Sequence, residues 1–111
     1  MQHIVVFKLD PEKFAKEFPG NTLQEGVESL RRAAIPGLLE INLSAKNITP
    51  WAGYQDASRG YTHALVSRHK DAKSLHIYAE HRVHKVLQAR ILKCIAAPPL
   101  RMELDVHSSK L

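Results

Sequence analysis

The first predicted strand is apolar on both faces, which constrains how this chain of 111 residues can fold. Residues 3–9 alternate, are rich in β-branched and aromatic side chains, and end at Asp10-Pro11. One face carries His3, Val5, Phe7 and Leu9, and the other carries Ile4 and Val6. Because both faces need a covering layer, helices packed on one side of the sheet cannot be enough.

The remaining segments predict the order β-α-β-β-α-β, with the second helical region split in two. They are a helical turn at 11–19, a helix from Thr22, a strand at 38–45, a strand at 61–69, a helix from 72 that breaks near 80–81 and resumes from 83 to 95, and a strand at 100–106. Thr22 and Glu25 form a predicted capping box, and Asp71 is a predicted N-cap. The predicted buried positions on these segments include Leu23, Val27, Leu30, Ala34, Leu39, Ile41, Leu43, Val86, Leu87 and Ile91. A long loop at 46–60 has no assigned role.

This order is the ferredoxin-like, split-βαβ arrangement of an α+β domain, and the length fits one domain over residues 1–111. Helices can cover only one face of a four-stranded sheet. We expect the other face to carry Val5, Phe7 and Leu65, and a second copy of the sheet is its simplest cover. The sequence therefore predicts a homodimer.

Basic residues outnumber acidic ones, 16 to 11, but their distribution argues against nucleic-acid recognition. The densest groups are Arg31-Arg32, Arg68-His69-Lys70, and Arg82 with Lys85. No nucleic-acid-binding motif or ladder of stacking aromatics accompanies them, so we expect no specific nucleic-acid partner. No apolar run reaches the ~18 residues that a membrane span needs, so we expect no membrane partner.

The single cysteine, Cys94, cannot build a disulfide framework and therefore favours a reducing compartment. Its neighbours Ile91, Leu92 and Ile95 predict a buried helix position and not a nucleophile. The N-terminal segment is too short for a signal peptide and begins directly with strand residues. We therefore expect a cytoplasmic protein.

Histidine and tyrosine are the residues best able to carry chemistry in this chain. The candidates are His3, Tyr61, His63, Tyr78, His81 and His84. A histidine pKa near ~6.5 allows proton removal next to a carbonyl at neutral pH. A tyrosine hydroxyl can donate to an oxygen on which enolate charge develops.

Most of these residues also have another interpretation. His84 could cap or pack at a helix start, Tyr78 could be core packing, and His3 and His63 could bond to backbone. His81 and His84 could chelate a metal together with a third ligand. No acidic residue lies at a spacing that would indicate such a ligand, so no metal is expected.

Five short motifs follow one another over about residues 3–107. They are His3 to Lys8, Ile35 to Gly37, Gly60 to His63, Tyr78 with the His-x-x-His of His81 and His84, and Leu104 to Val106. Their order and spacing resemble the stress-responsive dimeric α/β-barrel family. The resemblance implies a homodimer in which two four-stranded sheets close into a barrel.

The resemblance also implies a site. A plant member of the family is a polyketide cyclase that closes an aromatic ring without a cofactor. In that enzyme the second histidine of the His-x-x-His is the base, and a tyrosine six residues earlier supports it; His84 and Tyr78 match these positions. His3 and His63 match pocket-lining histidines, and Asp105 matches a carboxylate on the last strand.

Tyr61 and His81 complete the predicted lining of the pocket. We expect a cofactor-independent cyclase, lyase or isomerase that acts on a small carbonyl-bearing ligand through Tyr78 and His84. Arg82 stands where the family commonly has proline. The replacement removes a constraint on the first helical turn. It also places a cation near His84, which would favour the neutral form of that histidine.

A non-catalytic stress-response or ligand-binding protein, whose role rests on a stable dimer or higher oligomer, is the alternative. A cavity that reaches Tyr78 and His84 favours the first interpretation, and a closed, well-packed pair favours the second.

Overall fold

Eight helices and strands follow one another in the predicted order. The computed structural model describes residues 1–45 and 47–106, so residue 46 of the predicted loop and residues 107–111 of the predicted domain lie outside it. The elements are β1 (Gln2–Phe7), α1 (Pro11–Glu17), α2 (Thr22–Arg32), β2 (Leu38–Ser44), β3 (His63–His69), α3 (Ala72–Glu80), α4 (Arg82–Leu92) and β4 (Leu100–Leu104). None of the helices in this part of the chain has the length and apolar character to cross a bilayer.

The four strands form one antiparallel sheet in the order β2-β3-β1-β4. β1 lies between β3 and β4, although these strands are distant from it in the sequence. Four helices accompany the sheet, and α2, α3 and α4 supply buried side chains to the core. The ferredoxin-like α+β fold is therefore confirmed.

Local chemistry explains where the helices begin. Asp10 accepts a hydrogen bond from the Lys13 amide at 3.0 Å, and Asp71 accepts one from the Ser74 amide at 2.8 Å, as its predicted N-cap role requires. The predicted capping box at Thr22 is wrong. Thr22 is already the first helical residue, and its hydroxyl donates to the Pro19 carbonyl at 2.9 Å instead of capping the helix.

The core lies between the sheet and the helices. Its fully or almost fully buried members include Phe7, Phe18, Leu23, Val27, Leu30, Ile41, Leu65, Leu87, Ile91 and Cys94. Cys94 is buried as predicted, although it follows the end of α4. Ala34 and Val86 were predicted to be buried but are exposed, because Ala34 lies past α2 with a φ of 51° and Val86 points away from the sheet.

The prediction of which sheet face the helices leave uncovered is wrong. Phe7 and Leu65 are buried beneath the helices, and Val5 packs against the same core. The opposite face carries the alternate residues, where Ile4 pairs with Met102 and Val6 pairs with Leu100. Met102 and Leu100 remain about half exposed, so the expectation of one apolar face without a helical cover is confirmed. The outer face is defined here as Ile4, Val6, Val66, Leu100, Met102 and Leu104.

The turn before β2 brings the start of α3 against the backbone. Gly37 has a φ of 79°, and a Cβ at this position would overlap the Ser74 side chain in the first turn of α3. The Lys70 amide donates to the Gly37 carbonyl at 2.9 Å. Two residues later the register with β3 shifts between Leu38 and Glu40, which leaves Leu39 exposed although it was predicted to share a face with Ile41.

Candidate functional site

A cavity of about 800 Å³ lies between the helix-facing side of the sheet and the helices α3 and α4. This volume lies within the range of ligand sites, roughly 300–1,000 Å³. Its lining includes His3, Val5, Phe7, Leu65, Tyr78, His84, Leu87, Ile91, Arg101 and Glu103. The cavity therefore combines apolar side chains with polar and charged groups, which come from β1 and β4 of the sheet and from α3 and α4.

His84 reaches this cavity because the chain breaks between α3 and α4. His81 has extended backbone angles (φ −66°, ψ 136°), so α4 starts in a new direction and its first turn lies beside the end of α3. Nδ1 of His84 is 3.0 Å from the Ala79 carbonyl oxygen. Since a carbonyl only accepts, Nδ1 carries the hydrogen and Nε2 carries the lone pair of the neutral ring. Nε2 has no hydrogen-bond partner among the described residues and is not sealed from solvent.

The surroundings hold His84 in its neutral form. Burial lowers the pKa of His84, the bond to Ala79 opposes this, and His3, His81 and Lys85 lower it further. Arg82 was expected to supply the nearby cation, but it is exposed and lies outside the cavity lining. The cation that acts on His84 is therefore Lys85.

Tyr78 forms the centre of a buried ring cluster, defined here as His3, His69, Tyr78 and His84. Its ring centre lies 4.5 Å from that of His84, 4.9 Å from that of His69 and 6.2 Å from that of His3. Tyr78 is 1% exposed, and within the described chain its hydroxyl is buried without a hydrogen-bond partner. The phenol therefore packs against His84, and its hydroxyl is withdrawn from the cavity.

His69 is the member of the ring cluster that sequence reasoning missed. It is fully buried, and its Nε2 lies 2.8 Å from the Ser67 hydroxyl. Burial lowers the pKa of His69 to about 4, and the charges of His3, the N-terminus and His84 act in the same direction. Strand alternation could have identified it, because His69 shares a face with Leu65 and Ser67.

His63 and Tyr61 were predicted to line the pocket, and the structure places both elsewhere. The His63 ring packs against Phe14, with 5.1 Å between ring centres, and its Nδ1 lies 2.7 Å from the Thr62 hydroxyl. The Tyr61 hydroxyl donates to the Pro98 carbonyl at 3.0 Å. Neither residue belongs to the lining of the cavity at His84.

His81 and Asp105 also lie outside that lining. Nδ1 of His81 accepts the Val83 amide hydrogen at 3.1 Å and so caps α4. Asp105 follows the end of β4 and is exposed, whereas Glu103 on the same strand face approaches His3. Within residues 1–45 and 47–106, no three His, Cys, Asp or Glu side chains are grouped as metal ligands.

The unpaired Tyr78 hydroxyl leads to a stability prediction. Tyr78→Phe should raise the free energy of unfolding by about 1 kcal/mol, because it removes a buried polar group that lacks a partner. Urea denaturation followed by circular dichroism measures the change. Tyr61→Phe is the matched control and should lower stability by about 1 kcal/mol, because it removes a made hydrogen bond. A loss of stability in Tyr78→Phe would mean that the hydroxyl has a partner in solution.

Comparison with known proteins identifies the family. The family model described as the stress-responsive A/B barrel domain matches residues 1–107. The chain belongs to the stress-responsive A/B barrel family. A comparison of this A/B barrel protein with curated proteins finds no match.

Solved structures share the fold of this A/B barrel protein. An Arabidopsis thaliana protein aligns with a TM-score of 0.71 at 14% identity, covering 99% of this chain and 98% of that one. A dimeric ferredoxin-like protein of unknown function from Jannaschia sp. CCS1 aligns with a TM-score of 0.67 at 20% identity, covering 95% and 97%. An antibiotic biosynthesis monooxygenase aligns with a TM-score of 0.68 at 18% identity, covering 96% and 98%. At these identities the likeness concerns the fold alone.

Proposed function

We propose that this A/B barrel protein catalyses cofactor-independent proton transfer on a small carbonyl-bearing ligand, as a cyclase, lyase or isomerase with His84 as the base. The observation that carries this proposal is the free Nε2 of His84 at a cavity of about 800 Å³. The tautomer is set by the bond from Nδ1 to Ala79, so the lone pair stands on the nitrogen that is not engaged.

The chemistry follows from the groups at the cavity. Apolar side chains of Phe7, Leu65 and Leu87 hold the carbon skeleton of the ligand. Nε2 of His84 removes a proton from the carbon next to the carbonyl, which leaves an enolate and an imidazolium. The Ala79 carbonyl stabilises this imidazolium, and the Tyr78 ring keeps the imidazole in its orientation. The enolate can then attack a second carbonyl, expel a leaving group or take a proton at another atom.

A homodimer built through the outer face is part of this proposal. Leu100 and Met102 are 55% and 54% exposed there, beside the half-buried Ile4 and Val6. The ferredoxin-like protein from Jannaschia sp. CCS1, which shares this fold, is described as dimeric. A second copy of the same face would cover these side chains in a two-fold arrangement, which is the commonest way for identical apolar faces to be buried. The catalytic cavity lies on the other side of the sheet, so each protomer would contain a complete site.

The proposal also includes a cytoplasmic location and no specific nucleic-acid partner. The buried free thiol of Cys94 supports a reducing compartment. Several cations already have carboxylate partners, since Arg68 pairs with Glu40, Lys85 with Glu80 and Arg90 with Glu17. Dispersed, paired charge of this kind is a poor match to a phosphate backbone.

Deuterium exchange into a ketone tests the proposed chemistry. 2-Nonanone in D₂O should lose its α-protons faster with the protein than in buffer, as followed by NMR. His84→Gln should lower the protein-catalysed rate by roughly 100-fold, because it removes a general base. Glutamine retains an amide donor near Ala79, so the fold should persist. His63→Gln is the control, since His63 lies outside the cavity, and it should exchange at the wild-type rate.

Ligand binding without chemistry is a second candidate function. The withdrawn Tyr78 hydroxyl favours it, because this oxygen cannot touch a ligand in the arrangement described. Chemical-shift changes at Leu65 and Leu87 on adding 2-nonanone, without exchange above the buffer rate, would support binding alone and contradict the proposed catalysis.

A further inference from the structure

A second histidine at the cavity is bonded to a carboxylate. His3 on β1 and Glu103 on β4 are cross-strand neighbours, and Nδ1 of His3 lies 3.1 Å from Oε1 of Glu103. An ionised carboxylate only accepts, so Nδ1 carries a hydrogen and donates it. Nε2 of His3 has no hydrogen-bond partner in the described part of the chain and is not sealed from solvent. His3 lines the same cavity as His84, and its second ring nitrogen is not engaged by another described residue.

In both histidines Nδ1 donates a hydrogen bond and Nε2 has no partner, but the groups that accept from Nδ1 differ. Nδ1 of His84 donates to the neutral carbonyl of Ala79, whereas Nδ1 of His3 donates to the charged carboxylate of Glu103. A carboxylate stabilises an imidazolium more strongly than a carbonyl does. When only one of the two histidines is protonated to the imidazolium form, the structure therefore favours His3 as the protonated one.

We propose that His3, positioned by Glu103, is the acid partner of His84, and that the two histidines act together on one ligand in this cavity. This inference rests on the proposed function. The ring centres of His3 and His84 lie 6.2 Å and 4.5 Å from that of Tyr78, and the two histidines, on β1 and α4, line the same cavity.

The step balances with one proton shared between the two rings. Nε2 of His84 takes a proton from the carbon next to the carbonyl, and the C–H electron pair forms the carbon–carbon double bond of an enol. The carbonyl oxygen takes a proton from Nε2 of the protonated His3. His84 is then protonated and His3 is neutral, so the total charge is unchanged and no free enolate accumulates. Exchange with solvent restores the starting protonation.

This division of roles predicts a bell-shaped dependence of the exchange rate on pH. Burial lowers the pKa of His3 and Glu103 opposes it, while Arg101, 3.5 Å from Glu103, lowers it slightly. Around His84 the charged neighbours are His3, His81 and Lys85, and Lys85 is paired with Glu80. His76 lies on the same wall, and His69 packs against His3 with 6.2 Å between ring centres. Because the pKa values of both active histidines are lowered, the rate should be greatest on the acid side of neutrality and fall as His3 loses its proton.

Glu103→Gln separates charge from geometry. The glutamine oxygen can still accept the Nδ1 hydrogen of His3, but the negative charge is gone, so the pKa of His3 should fall further. The alkaline limb of the 2-nonanone exchange profile should move to lower pH, and the rate at neutral pH should fall roughly 10-fold. Glu103→Asp should restore the limb in part. Glu103 is on an edge strand and partly exposed, so these variants should fold.

His3→Gln tests the acid itself and should lower the exchange rate roughly 10- to 100-fold, with the alkaline limb abolished. His63→Gln serves again as the control with an unchanged profile. If wild type and His84→Gln behave as proposed but the Glu103 and His3 variants keep the wild-type rate and profile, the role of His3 is wrong and the role of His84 stands. If wild-type protein catalyses no exchange at all, the proposed function itself is wrong.

Discussion

Val66→Asp is expected to yield a folded protein that no longer self-associates, whereas Leu65→Asp should not fold. These neighbours on β3 point to opposite faces of the sheet. Leu65 is 6% exposed in the core beneath the helices. Val66 is cross-strand partner to Ile4 on the outer face, where no helix covers it. The same charge therefore meets the core in one variant and the proposed dimer interface in the other.

The expected effects are large in both cases. An uncompensated charge in a protein interior costs several kcal/mol, which is comparable to the roughly 5–15 kcal/mol that stabilises a domain. Leu65→Asp should therefore lose its far-UV circular dichroism or precipitate. In a two-fold dimer Val66→Asp places two like charges in one interface, and the dissociation constant should rise by roughly 100-fold or more.

Sedimentation measures the difference. Wild type should sediment at about twice the 12.5 kDa chain mass, and Val66→Asp at the chain mass with an unchanged circular dichroism spectrum. Lys73→Asp, at an exposed position of α3 on the helical side of the sheet, is the control and should remain a dimer. A wild type that is monomeric at micromolar concentration, or a Val66→Asp variant that remains a dimer, would contradict assembly through the outer face.

Acidification should destabilise the protein through His69. Its pKa is about 4 in the folded chain against 6.5 for an ordinary histidine, so the unfolded state binds a proton more readily than the folded state. The contribution to stability is therefore complete above about pH 6.5 and is lost progressively as the pH falls to about 4. The difference between the two pKa values corresponds to about 3 kcal/mol.

Urea denaturation across this pH range tests the effect. His69→Gln retains a group that can bond to Ser67 but cannot titrate, so its stability should depend on pH by about 3 kcal/mol less than that of wild type. His76→Gln is the matched control, because His76 is exposed on α3 and should leave the wild-type pH dependence intact. Equal pH dependence in wild type and His69→Gln would show that the buried imidazole is not the source.

Element order was predictable because the local signals agree with the tertiary structure. Asp71 begins α3, the break near His81 separates α3 from α4, and each strand begins and ends within two residues of its predicted bounds. The capping box at Thr22 failed because the Pro19 carbonyl competes for the same hydroxyl. Such a competition depends on the shape of a turn, which residue spacing does not contain.

The direction of the sheet faces could not be predicted from alternation. Both faces of β1 are apolar, so the pattern is the same whether Val5 or Val6 points to the helices. On β4 the usual rule, that apolar residues face the helices and polar residues face away, is reversed. Leu100 and Met102 face away from the helices, while Arg101 and Glu103 line the cavity. Polar residues facing inward are interpretable only once the cavity is known.

The candidate site was predictable in part. The break near His81 correctly suggested that Tyr78 and His84 could meet, and their ring centres are 4.5 Å apart. The carboxylate was expected at Asp105, which shares its strand face with Glu103, but β4 ends at Leu104 and the register pairs Glu103 with His3. Glu103 and Asp105 are two residues apart and so share a strand face, but only Glu103 lies opposite His3. The pairing of β4 with β1 was therefore needed to identify Glu103 as the carboxylate.

The close approach of Gly37 to Ser74 means that Gly37, which does not line the cavity, affects the shape of the cavity. The absent Cβ of Gly37 lets the first turn of α3 lie directly on the backbone, and Tyr78 is carried by the same helix. Any larger side chain at this turn would displace the helix at one end and tilt the phenol against His84 at the other. Natural variation at position 37 should therefore be restricted as tightly as variation among the cavity residues, although Gly37 contributes no atom to the chemistry.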